Sequence, residues 1–324
     1  IQLNNYKPIL VVPGEPNSIF FEIFFKTLKK EKFKSPIILI GSLKIIQLQM
    51  KKLNLNNKFK IINLRGLKPN KVNSKLINII NVNYVQSKAF EKISKRSKSY
   101  INNCFKIALN LLNVGFSNKL LTGPISKKNF LNKKVLGVTE YLAKKTNSNK
   151  IAMLIYNEKL SVCPITTHLP LKLVTKKISK KIIIEKIKLI NSFYLQKFKI
   201  KPKIGVVGLN PHCESRDSYN EDKKIIKPAI DFLKKKKHKI LGPLSADTCF
   251  MKSNRKKFDV IVGMYHDQVL TPIKTLFEYD AINITLGLPF VRVSPDHGPN
   301  EIMLGSNKSN TKSINKAMKF LDKN

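Results

Sequence analysis

Three histidines each sit in a short polar segment, marked by Pro or Gly, that follows an apolar run. They are His168 in Thr166-Thr167-His168-Leu169-Pro170, His212 in Gly208-Leu209-Asn210-Pro211-His212, and His266 in Gly263-Met264-Tyr265-His266-Asp267-Gln268. The chain has only five histidines, so three in matching contexts form a pattern. Neutral imidazole is the commonest side-chain ligand of divalent transition ions, and three with one open position make a catalytic metal site. Each could equally be a structural histidine, and spacing alone does not bring three rings together. Asp247, in Ser245-Ala246-Asp247-Thr248, is either a further carboxylate near such a site or a helix N-cap.

Downstream, Lys274, Asn283 and Arg292 supply two cations and an amide within a short span. Such groups hold a phosphate or carboxylate by charge-assisted hydrogen bonds. Arg292 is the more informative, because Arg is scarce among the 61 basic residues; Lys274 taken alone reads as a solvated lysine. Two more segments, Ser294-Pro295-Asp296-His297-Gly298 and Gly137-Val138-Thr139-Glu140, suit a ligand at a helix N-terminus and equally suit simple caps. The 13 glycines form no GxGxxG or Walker A loop, and no GxSxG elbow occurs. Classical dinucleotide and P-loop binding therefore lose support.

These residues need elements to position them. Short apolar runs alternate with longer amphipathic stretches, which predicts βα repeats and a mostly parallel sheet in a three-layer α/β/α protein. Strands are expected at 9–12, 36–40, 59–62, 119–122, 151–155, 161–165, 203–207, 259–263 and 281–285. Helices are expected at 18–30, 44–53, 87–112, 178–195, 221–235 and 311–321. Each of the three histidines then follows a strand, and in such sheets ligands gather at the carboxyl ends of strands. The basic run Lys234–His238 reads as a helix end, where cations suit the carbonyl terminus.

With 324 residues the chain has room for two domains and a large core. No apolar run approaches the roughly 18 residues of a membrane span. Residues 1–7 lack the pattern of a secretory signal, and Cys104, Cys163, Cys213 and Cys249 are scattered, as reduced thiols are; a cytoplasmic protein with no membrane partner is expected. The net charge of +41 is carried almost wholly by Lys, spread along the chain with abundant Asn and Ile. That pattern reads as drift toward AT-rich codons rather than as a nucleic-acid face, where Arg usually does the reading. Such a field still attracts anionic substrates, and binds polyanions nonspecifically at low salt.

Taken in order, the motifs carry a resemblance. Leu121-Thr122-Gly123-Pro124-Ile125-Ser126-Lys127, Gly137-x-Thr139-Glu140-x-Leu142-Ala143, the Gly208–His212 segment, Gly242-Pro243-x-x-Ala246-Asp247-Thr248-x-Phe250 and Tyr265-His266-Asp267-Gln268 are followed by Asn283-x-Thr285-Leu286-Gly287-Leu288-Pro289 and Ser294-x-Asp296-His297-Gly298. The set resembles the 4-hydroxythreonine-4-phosphate dehydrogenase family of vitamin B6 biosynthesis, from Pro13-Gly14-Glu15-Pro16 to Gly298, nearly the whole chain.

The resemblance implies two α/β/α domains with an active-site cleft between them, similar to isocitrate and isopropylmalate dehydrogenases. Residues 1–125 with 285–324 would form the nucleotide-side domain, and 126–284 the metal, substrate and dimerisation domain. It implies a homodimer with its active site at the subunit interface, NAD or NADP bound without GxGxxG, and one divalent ion (Zn, Mg or Co) per site. His168, His212 and His266 match the family's metal ligands, one of them reaching across from the partner subunit. Val138, Thr139, Lys274, Asn283 and Arg292 match substrate-binding positions, Lys274 with a possible part in proton transfer. His297 and Gly298 match the nucleotide side. The implied substrate is the small phosphorylated amino acid 4-phosphooxy-L-threonine, oxidised and then decarboxylated to 3-amino-2-oxopropyl phosphate. Three departures stand out: Val138 where the family has His, Asn17-Ser18-Ile19-Phe20 in place of a glycine-containing turn, and Pro299-Asn300-Glu301-Ile302 after Gly298. The competing readings are a three-histidine metallohydrolase and a basic nucleic-acid-binding protein.

Overall fold

The computed structural model describes residues 6–130, 137–214 and 219–323. In chain order they form β1 (Ile9–Val12), α1 (Phe20–Lys30), β2 (Ile37–Gly41), α2 (Leu43–Lys52), β3 (Phe59–Ile61), β4 (Ile77–Asn81), α3 (Ser97–Asn113), β5 (Lys119–Thr122), α4 (Lys127–Phe130) and α5 (Val138–Lys145). There follow β6 (Ala152–Tyr156), β7 (Ser161–Pro164), α6 (Val174–Lys177), α7 (Lys180–Phe198), β8 (Ile204–Val207), α8 (Lys227–Lys235), β9 (Ile240–Leu244), α9 (Ala246–Cys249), α10 (Lys252–Arg255), β10 (Val260–Gly263), α11 (His266–Phe277) and β11 (Ile282–Leu286). The chain ends with β12 (Val291–Pro295) and α12 (Lys312–Asp322).

Two compact units result, Ile1–Leu142 with Pro289–Asn324, and Ala143–Leu288. In the first, the strands run β3-β4-β2-β1-β5-β12, all parallel. Its inner strands are continuous apolar runs such as Ile9-Leu10-Val11-Val12, buried throughout, as strands covered on both faces must be. Helix α1 buries Phe20, Phe21, Phe24 and Phe25, whose rings stack in i,i+4 pairs. In the second unit the order is β11-β6-β7-β10-β8-β9. Strand β6 is antiparallel to both neighbours, whereas β7, β10, β8 and β9 are mutually parallel. Helix α7 starts where the Ser179 hydroxyl accepts from the Ile182 amide, and ends at Lys199 in the left-handed region.

Several expectations need correction. The helix expected over 87–112 begins only at Ser97. Side-chain amides hold the preceding backbone: Gln86 donates to the Lys88 carbonyl, Gln49 to the Ala89 carbonyl, and Asn17 accepts from the Glu91 amide. The helix expected from Glu221 opens instead with a π-helical turn, Asp222–Ile226, because Asp222 is drawn inward. Three strands escaped the pattern reading, β4, β9 and β12. Strand β9 contains Gly242-Pro243 and lies at the sheet edge, where a missing N–H is tolerated.

Candidate active site

Strands β7, β10 and β8 lie side by side, with Val260 level with both Ser161 and Ile204. Their carboxyl ends therefore release three segments at one edge; two carry His168 and His212, and the third leads into α11, which starts at His266. Hydrogen bonds staple the loops together. The Thr166 amide and hydroxyl both donate to the Met264 carbonyl, and Gln268 accepts from the Met264 amide while donating to the Gly208 carbonyl at 2.7 Å. Asp222, 1% exposed, accepts from the amides of Leu209 and Asn210. Gly208 leaves room for this arrangement: a Cβ would lie 2.5 Å from Asp222 Oδ1 and 2.6 Å from Cys213 Sγ, so these side chains would have to shift.

Two of the three histidines meet. The rings of His168 and His266 lie 5.4 Å apart between centroids, against a cavity of about 270 Å³ also lined by Thr166, Val174, Tyr265 and Asp267. His266 opens α11, and its Nδ1 lies 2.6 Å from Asp267 Oδ1. A carboxylate on Nδ1 fixes the proton there and leaves the ring's lone pair on Nε2, as metal-binding histidines require. His212 is elsewhere, with Nδ1 3.3 Å from the Ser245 hydroxyl. Among the described residues no three His, Cys, Asp or Glu side chains converge to hold a metal ion. The expected trio is thus present at one sheet edge but not gathered within the single chain. His168 and His212 both have positive φ, 51° and 54°, a conformation that costs a non-glycine residue on the order of 1 kcal/mol and gathers at functional sites.

Asp247 is not the cap of α9; Ser245 is, and Asp247 sits in the first turn. Its carboxylate is held below the usual range by the Ser245 hydroxyl, then by the Thr248 amide and the neighbouring His212. Asn283 lies on β11, and its buried Oδ1 has no hydrogen-bond partner among the described residues. Lys274 is half-buried on α11, two turns beyond His266, roughly 12 Å along the axis.

The first unit carries the other candidates. Arg292 on β12 is 3% exposed, and its Nε and terminal nitrogen both donate to the Thr122 hydroxyl, at 3.0 and 2.6 Å. Burial lowers its pKa to about 10, opposed by Glu140, so the guanidinium remains charged at neutral pH. Val138 and Thr139 open α5 and are half-buried. His297 is half-buried, with Nδ1 2.8 Å from the Gly298 carbonyl. Gly298 is exposed and a Cβ there would touch nothing within 4 Å, so packing does not explain the glycine.

Sequence reading passed over Asp222 and gave Gln268 and Asp267 no role. Asp222 had one signal, an acid in a chain with only 20 of them, but it read as an ordinary first-turn helix residue. The roles of Gln268 and Asp267 depend on loops distant in sequence.

Parallel βα units, with histidines on the segments that leave the strand ends of one unit and a buried arginine on a strand of the other, define an α/β protein with candidate ligand-binding groups. The chain belongs to the pyridoxal phosphate biosynthetic protein PdxA family, whose model matches residues 32–321. It is 36% identical over 321 residues to the 4-hydroxythreonine-4-phosphate dehydrogenase of Sulfurihydrogenibium sp., covering 96% of each chain. It is 31% identical to the D-threonate 4-phosphate dehydrogenase of Salmonella typhimurium, over 90% of this chain and 91% of that one. A solved 4-hydroxythreonine-4-phosphate dehydrogenase from Klebsiella pneumoniae superposes with a TM-score of 0.84 at 28% identity, covering 98% of this chain and 97% of that one. The comparisons lend no support to the hydrolase and nucleic-acid readings. No helix among the described residues is long and apolar enough to cross a membrane.

Proposed function

We propose that the protein oxidises the C3 hydroxyl of 4-phosphooxy-L-threonine with NAD or NADP, and that the 2-amino-3-oxo acid formed then loses carbon dioxide to give 3-amino-2-oxopropyl phosphate. One observation carries this reading: in a chain of this family, one sheet edge presents His168 beside a carboxylate-oriented His266, with His212 on the adjoining loop. His168, His266 and His212 are the metal ligands, one supplied by a second copy of the chain, which accounts for a single chain gathering only two. Imidazole ligands, one of them backed by a carboxylate, suit a borderline ion such as zinc or cobalt better than magnesium, which prefers oxygen ligands. An ion bound there supplies Lewis-acid polarisation of the substrate's C3 oxygen.

The chain's own groups do the rest. Arg292, a buried and permanently charged fork, holds the phosphate or the carboxylate, and Thr139 adds a hydroxyl donor. The unpartnered Oδ1 of Asn283 accepts from a donor on the substrate, such as the C2 ammonium. Lys274 exchanges the proton: it takes one as the hydroxyl becomes a carbonyl and returns one to C2 as the C1–C2 bond breaks. NAD or NADP, when bound, would supply the acceptor for the C3 hydride. His297 and Gly298 would hold it, and the open space around Gly298 would allow close approach of backbone to nucleotide. D-threonate 4-phosphate presents the same reacting hydroxyl and phosphate with a C2 hydroxyl in place of the ammonium, so it is the competing substrate.

The test is absorbance of reduced nicotinamide with each substrate, with and without chelator, for the wild type and His212→Ala. Turnover of 4-phosphooxy-L-threonine that is lost on chelation, restored by zinc or cobalt, and absent in His212→Ala is expected. Turnover indifferent to chelator and to His212→Ala would remove the metal role, and no reduction of NAD or NADP would remove the reading altogether.

A further inference from the structure

A second recess lies in the second unit, lined by one face of α7 together with Phe232 of α8 and Lys150. Its volume is about 710 Å³, within the usual range of small-molecule sites. The floor is apolar, formed by Ile184, Leu189 and the Phe232 ring. The rim holds Lys150, Lys180, Lys181 and Lys188 against a single carboxylate, Glu185, which sits 3.7 Å from Lys150. The other three lysines have no carboxylate partner among the described residues. Two of them are drawn to one spot, with the Lys180 and Lys188 ammoniums 5.8 and 5.9 Å from the Phe232 ring centroid.

The start of the helix adds to this positive charge. Lys180 and Lys181 occupy the first turn of α7, which has no acidic residue to offset the positive end of the helix dipole. Nearby His238 titrates below its ordinary value, first through burial and then through Lys188 and Lys201. A second copy of the same chain would bring its own +41 charge to this rim, so self-association here is opposed by repulsion.

We propose that this recess binds a small amphiphilic anion, a molecule with an apolar body and a terminal phosphate or carboxylate. The apolar body lies on Ile184, Leu189 and Phe232, and the anionic end sits among Lys180, Lys181 and Lys188.

The chain contains no Trp, so Phe232→Trp places a sole tryptophan reporter at the floor. Titration with decyl phosphate, kept below micelle-forming concentration, should give a saturable emission change in the micromolar range. Lys180→Ala/Lys188→Ala in the same background should weaken binding by about tenfold or more, and decanol and inorganic phosphate should each fail to saturate. Calorimetry on the unsubstituted protein should give the same affinity for decyl phosphate, which guards against a disturbed reporter variant. Equal binding of decanol, indifference to the lysine substitutions, or no calorimetric binding would overturn the proposal. So would response only to vesicles containing phosphatidic acid, or an emission change driven by raising the concentration of the chain itself.

Discussion

At the scale of single residues, Glu15 is the most perturbed carboxylate. It is fully buried in the loop after β1, with Oε2 accepting from the Ser97 hydroxyl and Oε1 without a partner among the described residues. Burial, offset in part by Ser97 and the Asn17 amide and helped by Glu301, raises its pKa from 4.5 to about 7. Tyr84 and Tyr100 also face it, and its charge raises theirs. Between those two pH values the folded chain keeps a proton that the unfolded chain has released, so stability falls as pH rises through this window and levels off above it. The loss reaches about 3 kcal/mol at most. Chemical denaturation between pH 4.5 and 8 should show this slope, and Glu15→Gln should flatten it; an unchanged slope would assign the dependence to other groups.

At the scale of elements, the loop 208–212 is held by matched absences and presences. Gly208 leaves the space that the Asp222 carboxylate and the Cys213 thiol fill, and that carboxylate then satisfies two loop amides. Gly208→Ala should therefore lower stability by roughly 1–3 kcal/mol through overpacking, read as a lower thermal midpoint, and should displace His212 enough to reduce turnover. An alanine variant with wild-type melting and activity would show the loop to be more yielding than its contacts imply. The π-helical turn at 222–226 belongs to the same arrangement, because it starts at the buried Asp222.

At the scale of the whole molecule, the charge of +41 is the dominant long-range feature. A field of this sign steers a phosphorylated acid toward the protein and weakens as salt shortens the Debye length. Raising salt from about 0.05 M to about 0.5 M should raise KM several-fold with little change in kcat. A fall in kcat with constant KM would mean that salt acts on the chemistry instead. Weak retention on nucleic acid should disappear over the same range, since scattered lysines without base-reading arginines bind phosphate alone.

Much was legible from residue order alone. Apolar runs bounded by polar turns marked nine of the strands, and the positions of His168, His212 and His266 after three of them pointed to one ligand-binding edge, because side-chain periodicity and turn chemistry are local properties. The ordered motifs likewise pointed to the family that the comparisons found. Local pattern failed where distant groups decide. Residues 87–96 have a helix-like composition, yet amides from Asn17 and Gln49 hold part of that stretch outside a helix. The pairing of His168 with His266, and the placing of His212 beside Ser245 instead, follows from sheet order and loop geometry. Asp222 became a loop clamp and Glu15 a high-pKa acid only on burial, since desolvation is created by packing. The sequence thus determined which groups the protein has for its chemistry; the tertiary structure decided which of them meet, because contacts between residues far apart in the chain depend on how the strands are arranged.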